Sequence, residues 1–406
     1  MNRTQQQRSS AVVVGAGIGG LATAIGLRRI GWDVLVLERS AALREAGAGI
    51  SLMANARRCL EQLGVAATVR AGAASMLPGG DGVRTPRGAR LLAPADADFV
   101  HRHGLTADIV LRPRLQTVLA SALPEDGIQT GSTVTGLDLE PGSGRVSVRV
   151  QTVSGTGTIE PDLLVGADGL HSTVRAVLWP DAPEPVYSGH SVWRGMTETR
   201  FAEIGGNTWG RGQQFGRMPL GDGRVYWYAV ANTPIGERHL DERAAVLERF
   251  GRWHHPIPDL VTATPADTVL HHDIFELAVP LPSYVRGRAA LLGDAAHAMT
   301  SDLGQGACQA LEDAVVLCAA LAAEPDIAAA LRVYDQQRRP RAQRIATASR
   351  QMGQLTLMEG KARVLLRNMA VRAAPAAAGR RRLTEIGGWS PPDLPVGVPP
   401  TSGSVR

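Results

Sequence analysis

The sequence predicts an α/β fold in which a mostly β segment interrupts a nucleotide-binding layer of strands and helices. Three observations carry this. First, an apolar run, Ala11-Val12-Val13-Val14, passes through a glycine-rich turn and a helix-like stretch into a second apolar run that ends in an acid. That is the pattern of two buried parallel strands joined by a crossover helix. Second, residues 181–283 hold Trp193, Trp209, Trp227 and Trp253, with Trp179 at their edge. Third, strand-then-acid character returns at Ala289-Ala290-Leu291-Leu292-Gly293-Asp294, and the chain from Gly306 to Arg350 is helical in pattern.

Taken in order, the first helix is expected over Leu21–Ile30, with Gly31 as its C-cap. Asp33 to Glu38 forms the next strand and completes one βαβ unit of near-minimal length. Asn55–Leu63, closed by Gly64, and Arg112–Leu123 read as helices. Gly144–Ile159 alternates at Val146, Val148 and Val150 and reads as a hairpin. Asp162 to Gly166 is a further buried strand. Gly221-Asp222-Gly223 is a hairpin turn leading into the strand Val225–Val230. Ala307–Leu321 is a helix, and Met352–Met369 has amphipathic helical character, which suits dimer or domain packing ahead of covering a pocket or a membrane surface. The tail Gly387–Arg406 is rich in Pro, Gly and Ser and reads as loose. The expected division is a Rossmann-like domain in two parts, 11–180 and 284–350. Between them lies a β insertion, 181–283, and after them a helical region, 351–388, and a loose tail, 389–406. No internal repeats are visible.

Composition excludes several classes. The 406 residues are 44% hydrophobic and 20% charged, which fits packed lobes and not a disordered chain or coiled coil. Cys59, Cys308 and Cys318 are too few and scattered for a disulfide framework or zinc site, and agree with a reducing, cytoplasmic setting. The net charge of +5 comes from 43 basic and 38 acidic residues, interspersed, and one of the basic residues is lysine, Lys361. Arg338–Arg344 and Arg380–Arg382 lack interleaved aromatics and read as solvated helix faces, not a nucleic-acid surface. Arg3 and Arg8 ahead of an apolar run imitate a secretory signal, but Gly15, Gly17, Gly19, Gly20 and Gly26 interrupt the run. Ala314–Ala323 is about half a membrane span, so no stable membrane insertion is expected. The adjacent His271-His272-Asp273 would point to opposite faces of a strand, which disfavours a metal site.

Gly15-Ala16-Gly17-Ile18-Gly19-Gly20 matches G-x-G-x-x-G between a strand and a helix, and Glu38 lies 18 residues past Gly20. The spacing suits a dinucleotide site. Gly15 permits the tight turn, Gly17 lets backbone approach a pyrophosphate, and Gly20 lets the helix pack on the sheet. The helix N-terminus offers free N–H groups to the phosphates, and Glu38 would accept from ribose hydroxyls. Asp162-Leu163-Leu164-Val165-Gly166-Ala167-Asp168-Gly169 is a strand ending in Asp-Gly. It is followed by Leu170-His171-Ser172-Thr173-Val174-Arg175, where His171 or Ser172 could cap a helix and Arg175 could reach Asp168. A third cluster joins Asp294 to Leu303-Gly304-Gln305-Gly306 and the helix after it.

GAGIGG, GADGLHSTVR and LLGDAAHAMTSDLGQGACQALEDA, in this order, resemble the three fingerprints of class A flavoprotein monooxygenases. That family includes p-hydroxybenzoate, salicylate and 3-hydroxybenzoate 6-hydroxylases. The resemblance runs from about Ala11 to Arg350. It implies FAD as cofactor, NADH or NADPH as co-substrate, molecular oxygen, and a small aromatic or polyketide-like phenol as substrate. Gly15, Gly17, Gly19, Gly20, Glu38 and Arg39 would hold the ADP half of FAD. Ser51, in the run from Gly47, and Arg112 would lie by the cofactor, and Val134 by the adenine. Asp168 would serve both FAD and the nicotinamide donor. Asp294 would bind the ribityl or pyrophosphate region, and Leu303, Gly304, Gln305, Gly306 and Ala307 would edge the flavin ring.

By the same resemblance, reduced FAD and O2 give a C4a-hydroperoxide whose distal oxygen attacks an electron-rich carbon. The protein then positions the ring, excludes water and favours the phenolate. No catalytic nucleophile is expected. The β insertion should supply the pocket through Trp193, Arg194, Gln214, Phe215, Met218, Trp227 and Tyr228, with core packing as the competing role for the aromatics. The family reads His-Pro-x-x-Pro before the glycine loop. Here His297-Ala298-Met299-Thr300-Ser301-Asp302 puts Ser301 in place of the second proline. Urate hydroxylases place an arginine where Gln214 lies, which argues against urate. Epoxidation, Baeyer–Villiger oxidation and flavin binding without turnover are the competing activities. A monomer or homodimer is expected.

Overall fold

The computed structural model describes residues 9–43, 48–140, 144–202 and 205–395. Arg3, Arg8, Gly47 and the end of the tail from 396 lie outside the described residues.

The apolar runs form the centre of a six-stranded sheet. Its spatial order is Val285–Arg286, Ala289–Leu291, Leu163–Gly166, Ser10–Val14, Asp33–Leu37 and Ile128–Gln129. All neighbours are parallel except the first pair. Helices cover it, so the central strands are buried on both faces, as their unbroken apolar sequence requires. The first helix runs Ile18–Arg29 and so begins inside the glycine motif, three residues before the expected start. The helix Gly306–Ala323 packs against it, and most of that helix is buried in the main core. It is long and apolar enough to cross a membrane by composition, but 78% of it is buried within the protein.

A seven-stranded sheet forms the second lobe. Its order is Leu270–Glu276, Val186–Met196, Val225–Asn232, Gln213–Pro219, Gly206–Trp209, Val83–Arg84 and Arg90–Leu92. The last two strands come from outside 181–283, so the β lobe is completed by an earlier stretch of chain. Strand parity divides its residues. Trp193, Phe215 and Ala229 pair across three strands and point one way, into a second core with Val246, Phe250, Ile257 and Leu260 from the covering helices. Arg194, Gly216 and Tyr228 share the next cross-strand row and point the other way.

The long helix Ile327–Thr356 passes through Arg350 without a break. Two further helices follow, Lys361–Ala373 and Ala376–Gly387. The amphipathic run expected over Met352–Met369 is therefore split between two helices. The described part of the tail is fixed. Arg58 donates to the carbonyls of Gly387 and Trp389 at 2.7 and 2.9 Å, and Leu394 is buried.

Candidate active site

Because the strands are parallel, Gly15, Glu38, Asp168 and Asp294 all emerge at one edge of the six-stranded sheet, the edge where ligands bind in open α/β sheets. That edge faces the second lobe across a cleft of about 1750 Å3. Of the residues singled out in the sequence, Gly15, Gly17, Gly19, Glu38, Arg39, Ser51, Arg112, Val134, Asp168, Asp294, Leu303, Gly304, Gly306 and Ala307 line it, as do Arg194, Met218 and Tyr228.

At the first turn, Gly15 has φ +102°, and a Cβ there would stand 2.5 Å from the Ala167 carbonyl oxygen. A Cβ on Gly20 would meet the Gly15 carbonyl oxygen at 2.0 Å, so Gly20 closes helix on turn and is not itself a wall of the cleft. Glu38 accepts from the backbone N–H of Ala16 and of Ser40, both at 2.9 Å. It thus braces the turn and keeps lone pairs for a sugar hydroxyl. Asp168 accepts from the Ser172 hydroxyl at 2.5 Å and the Val174 N–H at 3.1 Å. Burial pushes its carboxyl up, against these hydrogen bonds. The expected Arg175 approach to Asp168 is corrected: Arg175 donates to the carbonyls of Leu170 at 2.6 Å and Ala295 at 3.2 Å. Ser172 caps the helix instead, accepting from the Arg175 N–H.

The second lobe contributes by parity. Met218, Tyr226 and Tyr228 line the cleft with Arg194, Leu270, His272 and Ile274. Trp193, Phe215 and Trp227 do not, and their expected place in the pocket is corrected. They fill the core behind the sheet, where the Trp193 N–H donates to Glu242 at 2.7 Å and the Trp227 N–H to Thr264 at 2.8 Å. Gln214 stands one step back from the cleft, donating to Asn207 Oδ1 at 3.3 Å. The two adjacent histidines point apart, His271 stacking on Trp193 with ring centroids 4.2 Å apart and His272 facing the cleft.

The family model described as FAD binding domain matches residues 8–349. The chain belongs to the class A flavoprotein monooxygenases. It is 39% identical over 350 residues to the aurachin C monooxygenase/isomerase of Stigmatella aurantiaca, covering 85% of this chain and 89% of that one. It is 35% identical over 386 residues to a 2-heptyl-3-hydroxy-4(1H)-quinolone synthase of Pseudomonas aeruginosa, covering 92% and 96%. The solved structure of Klebsiella pneumoniae HpxO complexed with FAD and uric acid is similar at a TM-score of 0.84 and 29% identity, covering 98% and 100%.

The geometry of this monooxygenase fits FAD. A Cβ on Gly17 or Gly306 would meet nothing within 4 Å, so backbone at both helix starts is open to the cleft. Neither the Ile18–Arg29 helix nor the Gly306–Ala323 helix has an acid in its first turn. Nothing there competes with phosphates at the first start or with the negative charge of a reduced flavin at the second. Asp294 is exposed between them.

Two features of the monooxygenase were missed in the sequence. The first is a buried polar network beneath the glycine loop. The Gln305 side chain belongs to it and not to the cleft wall: its Oε1 accepts from Asn55 and Gln309, both at 3.0 Å. Glu312 accepts from Asn55 at 2.7 Å, from Arg338 at 2.5 Å and from Arg341. Asp313 accepts from Arg338 at 2.7 Å, lies 2.6 Å from His297 and receives the Gly293 N–H at 3.0 Å. Burial works against the Asp313 charge, but His297 and Arg338 outweigh it and hold the carboxyl low. The network therefore grips the chain at Gly293 and Gln305, on either side of the cleft-lining loop. Arg338 is 1% exposed, so the reading of Arg338–Arg344 as a solvated face is corrected there.

The second is Asp302, next to the Ser301 departure. It lines the cleft, and burial raises its carboxyl to about 6. Its Oδ2 is buried without a hydrogen-bond partner and lies where a Cβ on Gly353 would stand, 2.7 Å away. The run of residues that departs from the family pattern was the available signal.

Proposed function

We propose that this monooxygenase inserts oxygen into a fused nitrogen-containing aromatic ring of the quinolone type that bears an apolar chain. The observation that carries the reading is the pairing, in one cleft, of a proton-accepting corner with an apolar arm. The corner is Asp302, Tyr228 and Asn207; the arm is Val83, Leu91, Trp209, Met352 and Val371. Urate offers nothing to such an arm. The name of the Pseudomonas relative, a 2-heptyl-3-hydroxy-4(1H)-quinolone synthase, supports the same substrate class.

FAD held by the glycine turn and Glu38 would, once reduced by NAD(P)H, supply the electrons by which one atom of O2 enters a ring carbon and the other leaves as water. The protein prepares that carbon. Ionised Asp302 takes the proton of a ring N–H or O–H, which raises electron density in the ring. Tyr228 donates to Asn207 Oδ1 at 2.7 Å, and burial keeps it protonated. Asn207 Oδ1 also accepts from Gln214, which turns the amide nitrogen toward use as a donor to a ring carbonyl. Burial, with Arg194 next, lowers the His272 pKa, so on the His272 side of the cleft the positive charge comes from Arg194 and Arg112. That positive field favours the ring anion. The apolar arm excludes water from the reacting end.

The test is NAD(P)H consumption and product oxygen content for the FAD-loaded protein with a series of alkylquinolones, urate and salicylate, under isotopically labelled O2. Stimulation that grows with chain length and label in the product is expected. Faster, coupled turnover with urate or salicylate overturns the reading.

A further inference from the structure

A helix packed on a protein ordinarily turns its apolar side inward. The helix Lys361–Ala373 carries an apolar stripe on its outer side. Ala362, Leu365, Leu366, Met369, Ala370 and Ala373 recur at i, i+3, i+4, i+7, i+8 and i+11, and all six are exposed. Leu365, Leu366 and Met369 are 62%, 64% and 57% exposed. With 3.6 residues per turn, Lys361 and Arg372 fall along one edge of this stripe and Arg363 along the other. The opposite face holds the helix to the protein: Arg367 is buried and donates to the carbonyls of Thr356 at 2.7 Å and Gly210 at 2.9 Å, and Val371 packs against the cluster of Val83, Leu91 and Trp209.

The charge of the chain is concentrated in the same place. From Lys361 to Gly387 there are seven Lys and Arg against the single acid Glu385, a surplus larger than the net +5 of the whole chain. Arg381 pairs with Glu385 at 2.8 Å, and Arg380 stands 4.0 Å from Asp96. The cations beside the stripe, Lys361, Arg363 and Arg372, are separate from these pairs. An exposed apolar stripe rimmed by cations is the pattern of a helix lying at the boundary of headgroups and acyl chains.

We infer that the helix Lys361–Ala373 docks this protein on an anionic lipid surface. The cleft gives the docking its purpose. Val371, Ala374, Pro375, Ala378 and Leu383 of the same helical hairpin line it, so a docked hairpin sets the mouth of the apolar arm against the lipid. The surface stands on its own observations, whichever ring the cleft accepts.

The experiment is co-sedimentation of the FAD-loaded protein with phosphatidylcholine vesicles, with and without phosphatidylglycerol. Binding at least roughly tenfold stronger to the anionic vesicles and weakened by salt is expected. The triple variant Leu365→Ser, Leu366→Ser, Met369→Ser should lose it with flavin content unchanged. The double variant Lys361→Glu, Arg363→Glu should lose only the preference for phosphatidylglycerol. Failure to sediment with either vesicle overturns the inference. So does equal binding by the wild type and both variants. A dimer in sedimentation velocity that the triple variant dissolves also overturns it, because a second copy then covers the stripe.

Discussion

Asp302 sits on the loop that edges the cleft, with one carboxylate oxygen buried and unpartnered. If it takes the substrate proton, Asp302→Asn should lower coupled product formation by roughly 100-fold or more while flavin content is unchanged. NAD(P)H should still be oxidised, with hydrogen peroxide as the product. The wild-type rate should fall on the acid side near the value of about 6 to which burial raises this carboxyl, and the variant should lack that limb. Stability gives an independent reading. A carboxyl raised on folding contributes stability below its unfolded value and loses it as pH rises through about 6. Asp302→Asn should therefore melt higher than wild type at pH above 6, with the gain shrinking in more acid buffer. Gly353→Ala provides a check on placement, since its Cβ would press on Asp302 Oδ2 at 2.7 Å. Activity should drop with little loss of flavin.

Elements separate residues that look alike in the sequence. Trp227 and Tyr228 are neighbours, yet a strand's two-residue period sends one to the core and the other to the cleft. Trp227→Leu should cost about 2–4 kcal/mol in thermal or denaturant unfolding and leave the order of substrate preference intact. Tyr228→Phe should do the opposite, shifting KM and coupling with little change in melting. The glycine motif was legible because its demands are local: Gly20 must lie against Gly15, and spacing along the chain is enough to show it. The face of each β-lobe strand was not legible, because parity becomes meaningful only once the side bearing the cleft is known. Arg338 was hidden for a related reason. Its partners Glu312 and Asp313 are on another helix, and only the packing of the two helices makes a buried cation there affordable. Arg338→Met should destabilise by about 3–5 kcal/mol, as it removes the buried cation that Glu312 and Asp313 share and leaves them only Arg341 and His297, and should loosen flavin binding through Gly293 and Gln305.

The whole molecule encloses its cleft from three sides: the edge of the parallel sheet, one face of the β lobe and the C-terminal helices. The first two were readable as a motif-bearing layer and an aromatic insertion. The third was not, because a break between helices at Leu357–Gly360 depends on Arg367 reaching back to Thr356 and across to Gly210. Arg367→Ala should leave flavin bound but raise the peroxide released per NAD(P)H severalfold, measured with a substrate that wild type turns over tightly. Among the described residues, Trp209 is the one tryptophan on the cleft wall; the other six lie away from it. The protein thus carries an optical probe of its own. Ligand arrival should dim the part of the indole emission that Trp209→Phe removes, and leave the glow of the remaining indoles as an internal standard for folding.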